Sequence, residues 1–208
     1  MTYGCRRAHI SIAVVVVASI LTAGPGEASA GPLVDALKAR QARIDSILSA
    51  HPGKLAGPAR ETLEDALAGA IDFEAMARAA LAAWESRSAA ERAEYAGAFE
   101  KLIRRSLMRR VDIYRIQGVD YAPEAIQGDH GRVDTVVRAK DVTTKVAWEF
   151  ARTSSGWRVA DYSIDGVSTA RNYRRQFARL LETRGWDGLI ERINKRAAEI
   201  EAEIEKEG

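Results

Sequence analysis

Apolar residues recur at helical spacing at both ends of the chain and alternate in the stretch between. Leu33, Leu37, Ile44, Ile47 and Leu48 share one stripe and predict a helix over 33–48. Pro52, Gly53, Gly57 and Pro58 then break the chain. A second helix is expected over about 59–70, with Leu63, Leu67 and Ile71 on one face. Asp72 reads as the N-cap of a third, running through Trp84. Ser88 to Glu91 has the capping-box pattern, which opens a fourth helix to about Tyr114 with Phe99, Leu102, Ile103 and Leu107 inward. From 118 to 165 the period becomes two. Strands are expected over 133–139, 144–151 and 157–164, separated by turns at 127–131 and 153–156. In the middle one Thr144, Val146, Trp148 and Phe150 share a face. Ser168 caps a helix bearing Tyr173, Phe177, Leu180 and Leu181, and a last helix carries Leu189, Ile193, Ala197, Ile200 and Ile204.

Helices, then a meander of about four antiparallel strands, then helices make an α+β fold. Residues 31–208 have the size of one domain. The acidic run 199–207 reads as a solvated helix end.

The N-terminus adds a destination. Arg6 and Arg7 precede an apolar run over 10–23, shorter than the roughly 20 residues of a membrane-spanning helix. Gly24 and Pro25 follow, then Ala28-Ser29-Ala30, an A-x-A cleavage site. Residues 1–30 are read as a cleaved signal peptide, with an uncleaved anchor as the alternative. The sole cysteine, Cys5, leaves with it, so residues 31–208 hold no disulfide and no thiolate metal site.

Charge excludes one class of function and suggests another. The 31 Lys and Arg against 29 Asp and Glu give a net charge of +2, too little for a strongly cationic nucleic-acid binder. Arginines nevertheless cluster on two helices, Arg104 and Arg105 on one and Arg171, Arg174 and Arg175 on the other. Together they suit an anionic headgroup, a membrane surface or an acidic partner, or they are merely solvated. No P-loop, G-x-G-x-x-G, G-x-S-x-G or H-E-x-x-H motif occurs, and no cofactor or metal is expected. Asp161 and Asp165, on one face of the last strand with Trp157, Val159 and Ser163, are candidate general bases or ordinary turn and surface carboxylates. His51 and His130 read as surface residues.

Three stretches carry a family resemblance. They are Ile71-Asp72-Phe73-Glu74-Ala75-Met76-Ala77-Arg78 with Trp84; Ala96-Gly97-Ala98-Phe99 leading to Leu102; and Gly156-Trp157-Arg158-Val159-Ala160-Asp161 through Val167-Ser168, followed by Asn172-Tyr173-Arg174-Arg175-Gln176-Phe177. In this order over about 60–195, they resemble the MlaC, or toluene-tolerance auxiliary, family. Where that family often has a glycine before the tryptophan, Ala82 and Ala83 stand here. The resemblance implies an NTF2-like domain, a curved antiparallel sheet wrapped by helices. It implies a periplasmic carrier that holds a phospholipid by its acyl tails and works with an inner-membrane MCE-domain ABC transporter and an outer-membrane lipoprotein–porin complex. Membrane contact would be transient, with no enzymatic step. A hopanoid-type carrier of the same family is one alternative, and an exported NTF2-like enzyme using Asp161 or Asp165 is another.

Such a carrier must replace the environment of an acyl chain. Roughly 15 methylenes at about 0.8 kcal/mol each amount to about 12 kcal/mol against exposure to water. A cavity at or beyond the roughly 1,000 Å³ upper range of ligand pockets is expected. Its wall is assigned to apolar residues where helices face the sheet: Leu107, Val111, Val136, Trp148, Ile164, Val167, Tyr173 and Phe177.

Overall fold

The structure, a computed structural model, describes residues 31–53, 55–109, 117–139 and 142–207. The signal-peptide segment and Val111 lie outside these residues. Within them the order is α1 (Pro32–Ala50), α2 (Gly57–Ala68), α3 (Phe73–Ala80), α4 (Ala89–Met108), β1 (Gly118–Tyr121), β2 (Ala125–Gln127), β3 (His130–Ala139), β4 (Val142–Thr153), β5 (Gly156–Ile164), β6 (Val167–Ser168) and α5 (Thr169–Glu207). This is the α+β arrangement expected, a curved antiparallel sheet that does not close, with helices before and after it. No described helix is long and apolar enough to cross a membrane.

Local chemistry sets the helix starts. Ser88 and Glu91 complete the capping box of α4, with bonds of 3.2 Å to the Glu91 N–H and 2.8 Å back to the Ser88 N–H. The Ser88 N–H, and then the Ser88 hydroxyl, hold the Glu91 carboxyl below its usual range. Asp72 caps α3, accepting from the Ala75 N–H at 2.9 Å. α3 stops at Ala80 instead of reaching Trp84. Leu81 turns extended, and a separate 3₁₀ turn at Trp84–Ser86 follows, so Leu81 and Trp84 are both buried. α1 is capped from a distance: the Glu124 carboxylate accepts from the Leu33 and Val34 N–H groups at 2.8 and 3.1 Å.

The strands run β1-β3-β4-β5-β6, and β2 also pairs with β3. β1 and β2 are two parts of one edge, since they meet 135–138 and 130–132 of the same strand. Pro123 stands between them and has no N–H for a ladder. The described residues thus form six strands, two of them short pieces, where the meander was expected to hold about four. The other edge is blunted by the α2–α3 link, where Val159 exchanges backbone bonds with Ala70 and Asp72 at 2.8 and 2.9 Å. Asp165 and Gly166 both have positive φ, the geometry of a tight hairpin turn into β6.

A bulge in β5 decides which side chains face the helices. Glu149 pairs with Asp161 but Phe150 pairs with Val159, so Ala160 is the extra residue and the alternation slips by one. Val159 is inward before it, Tyr162 and Ile164 after it. Asp161 therefore does not share a face with Val159, contrary to the strict alternation.

α5 is bent at Gly185, whose φ of 67° and ψ of −167° leave helical space. Its second half buries Leu189, Ile193, Ala197 and Ile200. The acidic end is not merely solvated. Glu201 pairs with Arg60 and Arg105 at 2.6 and 2.8 Å, and Glu203 pairs with Arg109 and Arg196 at 3.0 and 3.2 Å.

Candidate functional site

A cavity of about 200 Å³ lies under α1, between it and the inner face of the sheet. Antiparallel register assembles the floor. Val119 pairs with Val137, Tyr121 with Thr135, Thr135 with Val146, Trp148 with Tyr162 and Val146 with Ile164. The side chains of all these residues line the space, with Thr144 and Asp165 at one end. Leu37, Arg40 and Gln41 of α1 roof it, and Ile71 and Leu107 close the sides. Gly131 lets α1 sit this low, because a Cβ there would stand 2.4 Å from Leu33 Cδ1.

The floor is largely apolar, and Trp148 and Thr135 are hydrogen-bonded across it. The Trp148 indole donates to Thr135 Oγ1 at 3.1 Å, and Thr135 donates to the Val146 carbonyl at 3.0 Å. Tyr162 stacks obliquely on Trp148, centroids 6.1 Å apart. Burial pushes the Tyr121 phenol upward in pKa, and Lys38 stands 5.9 Å from its ring. The volume is below the roughly 300–1,000 Å³ of ordinary ligand pockets and well short of the expected size.

Of the wall residues expected from sequence, Leu107, Trp148 and Ile164 meet at this cavity. Val136 does not. It faces the opposite side of the sheet beside Asp134 and Lys145, and its neighbour Val137 is the inward residue. A choice one residue off puts a side chain on the wrong face. Val167, in the second turn-flanking position after Gly166, is 53% exposed. Tyr173 and Phe177 belong to a solid aromatic cluster between α4 and α5, with Phe99 5.4 and 6.0 Å from them. Leu37, Arg40, Val119, Tyr121, Val137, Val146 and Tyr162 were missed. The face shared by Val146 and Trp148 was legible, but its partners depend on the bulge and on hairpin register.

The two arginine groups also part company. Arg104 is bonded to Glu100 at 2.8 Å and lies over the Phe73 ring, and Arg105 pairs with Glu64 at 2.6 Å besides Glu201. Their charge is spent inside the molecule, on α2 and the end of α5. Arg171, Arg174 and Arg175 are exposed, with contacts to a carbonyl of Ala79 and to Asn172 for the last two.

Asp161 is a structural carboxylate. It accepts from the Ser168 hydroxyl and from the Ala170 N–H at 3.0 Å, while Ser168 accepts from the Arg171 N–H at 3.1 Å. The pair caps α5. Asp165 accepts from the Lys145 N–H at 3.0 Å and holds the turn.

The fold is also found in a solved structure. A phospholipid-binding protein from Ralstonia solanacearum, in complex with a phospholipid, superposes with a TM-score of 0.68 over 81% of this chain and 96% of that chain, at 21% sequence identity. At that identity the likeness establishes the fold. No curated protein matches the sequence. The MlaC protein family, however, matches residues 38–195, a span that takes in most of α1, the whole sheet and the bend of α5, and the chain therefore belongs to that family.

Proposed function

We propose that the protein is a lipid carrier that takes a phospholipid acyl chain into the space between α1 and the sheet. One observation carries the reading: the concave sheet face presents Val119, Val137, Val146, Trp148 and Ile164 toward a roof of helices without sealing the space between. An apolar floor open to a tail replaces the roughly 0.8 kcal/mol per methylene that exposure to water costs. Family membership and the phospholipid seen in the Ralstonia protein support the same ligand class. Loading requires the helices to move off the sheet, since about 200 Å³ is too little for a tail.

On this reading the chain is exported to the periplasm after cleavage behind Ala30. It exchanges lipid with an MCE-domain ABC transporter in the inner membrane and a lipoprotein–porin complex in the outer membrane. No chemical step is involved. Asp161, the candidate base, has its oxygens committed to Ser168 and Ala170.

The test is mass spectrometry of lipids extracted from purified protein, with N-terminal sequencing of the same sample. A stoichiometric phospholipid and a chain beginning at Gly31 are expected. A hopanoid in the extract would select the other lipid class, and an empty extract from protein that also fails to take up phospholipid would overturn the carrier reading.

A further inference from the structure

The roof helix α1 begins without a cap of its own. Gly31 is its N-cap residue and brings no side chain, and Pro32 brings no N–H. The cap comes from Glu124, 91 residues beyond Leu33, in the link between β1 and β2. Its Oε2 accepts from both the Leu33 and the Val34 N–H. Its other oxygen lies against Gly31, and both residues are half-buried. A Cβ on Gly31 would stand 2.3 Å from Oε1 and 2.2 Å from Cδ, so the carboxylate comes this near only because the residue is glycine.

The Gly31 nitrogen is two bonds from that Cβ position, about 2.5 Å by standard geometry. It therefore lies within about 4.8 Å of Oε1, and a shift of at most about 1 Å brings it to ion-pair distance. The Gly31 carbonyl accepts from the Asp35 N–H at 2.9 Å, which fixes the residue at the head of the helix. Cleavage behind Ala30 changes what that nitrogen is. Hydrolysis of the amide consumes one water, leaves a carboxyl on Ala30 and makes Gly31 a primary amine. An α-amino group titrates near about 8, so it is an ammonium at neutral pH. An ammonium beside a helix N-terminus faces the positive end of the macrodipole and needs a counter-charge. The Glu124 carboxylate already stands there.

Resting on the export reading, in which the mature chain begins at Gly31, we propose that signal-peptide removal creates an ion pair between the Gly31 α-ammonium and the Glu124 carboxylate. The pair clamps the roof to the sheet. α1 carries Leu37, Arg40 and Gln41 over the cavity, and Glu124 stands between the two strands that pair along one edge of β3. In the precursor the same nitrogen is a neutral amide N–H, and the clamp lacks its charge. Maturation thus tightens the roof. Gly31 serves it twice, by having no Cβ to hold off the carboxylate and by supplying the amine that pairs with it.

The experiment is a double-mutant cycle between the α-amine and residue 124. Mature protein is purified from the periplasm, and N-terminal sequencing identifies its first residue. Wild type and Glu124→Gln are each compared with a free and an acetylated α-amine. Acetylation at about pH 6.5 singles out the α-amine, since lysine titrates near about 10.4. The glutamine amide still accepts from the Leu33 and Val34 N–H groups, and hydrogen exchange of those two amides is the readout. Acetylation should speed exchange in the wild type by about fivefold more than in Glu124→Gln, the upper end for a partly exposed ion pair, and high salt should shrink the difference. An equal factor in both backgrounds means that the charge acts without Glu124, which overturns the clamp. Where Glu124→Gln does not fold, a wild-type chain with Ser-Gly inserted between Ala30 and Gly31 takes its place. It keeps Glu124 and carries the ammonium up to about 7 Å away. Its exchange should match that of the acetylated wild type, and exchange like that of the free wild type overturns the clamp. A first residue other than Gly31 overturns the export reading and the clamp with it, whereas a chain that begins at Gly31 and ignores acetylation overturns the clamp alone.

Discussion

Two apolar regions of this molecule were built from the same kinds of residue and came out opposite. Between α4 and α5, Tyr95, Phe99, Tyr173 and Phe177 interlock with ring centroids 5.3–6.0 Å apart, joined by Trp84 and Trp186 at 6.3 Å from Tyr95. That region is solid. Between α1 and the sheet, Leu37, Val137, Val146, Trp148 and Ile164 surround a cavity. The difference lies in the partners. Two helices at close quarters interdigitate their side chains to crystal-like density. A curved sheet presents a concave surface that a straight helix bridges only at its sides, so the centre stays open.

The comparison is broken most directly in the solid region. Phe177→Ala should cost about 3–5 kcal/mol of stability, the range for aromatic truncation in a packed core, as read by denaturant unfolding. Where the variant remains folded, its lipid occupancy should match wild type. Loss of lipid with unchanged stability would return Phe177 to the cavity wall.

Next comes the pair of neighbours on opposite faces of β3. Val137→Asp should abolish lipid occupancy while the fold survives, since the carboxylate enters an existing space. Val136→Asp, on the outer face, should leave occupancy unchanged. Native mass spectrometry beside thermal melting reads both, and equal effects at the two positions would mean that the face assignment is wrong. Ile164→Asp should behave as Val137→Asp does.

A smaller effect tests how the solid region is closed. The second half of α5 is tied to α2 and α4 by Glu201 with Arg60 and Arg105, and by Glu203 with Arg109. Arg105→Glu should lower the melting temperature, and more so at low salt, whereas Arg171→Glu should not. The hydrogen bond from Arg109, then that from Arg196, holds the Glu203 carboxyl below its usual range. A carboxyl depressed in the folded state stabilises above its unfolded pKa, and this contribution disappears as pH falls through the folded value. Melting curves should therefore show α5 loosening on the acid side of the carboxylate range, and the Glu203→Gln variant should lose part of that acid sensitivity.

The smallest expected change has the opposite sign. The Tyr95 hydroxyl is buried with no hydrogen-bond partner, and burial pushes the phenol well above its ordinary pKa. Tyr95→Phe removes an unmet polar group from the solid region and should raise stability by about 1 kcal/mol. A loss of stability would reveal a partner for this hydroxyl.

The sequence by itself determined the element order, because helical and strand periods and the caps at Asp72, Ser88 and Ser168 are local properties of neighbouring residues. It also carried the family, through motifs on α3, α4, the last two strands and the start of α5. Three things were left to the tertiary structure. The bulge at Ala160 swapped the faces of β5, since one unpaired residue reverses a period of two. The carboxylates at the C-terminal end cancelled the arginines of α4, an encounter across some 95 residues of sequence that no local pattern encodes. And the same aromatic and aliphatic residues became solid core in one place and cavity wall in another, because burial is a property of a residue, while the space left beside it belongs to the shapes of the elements that meet there.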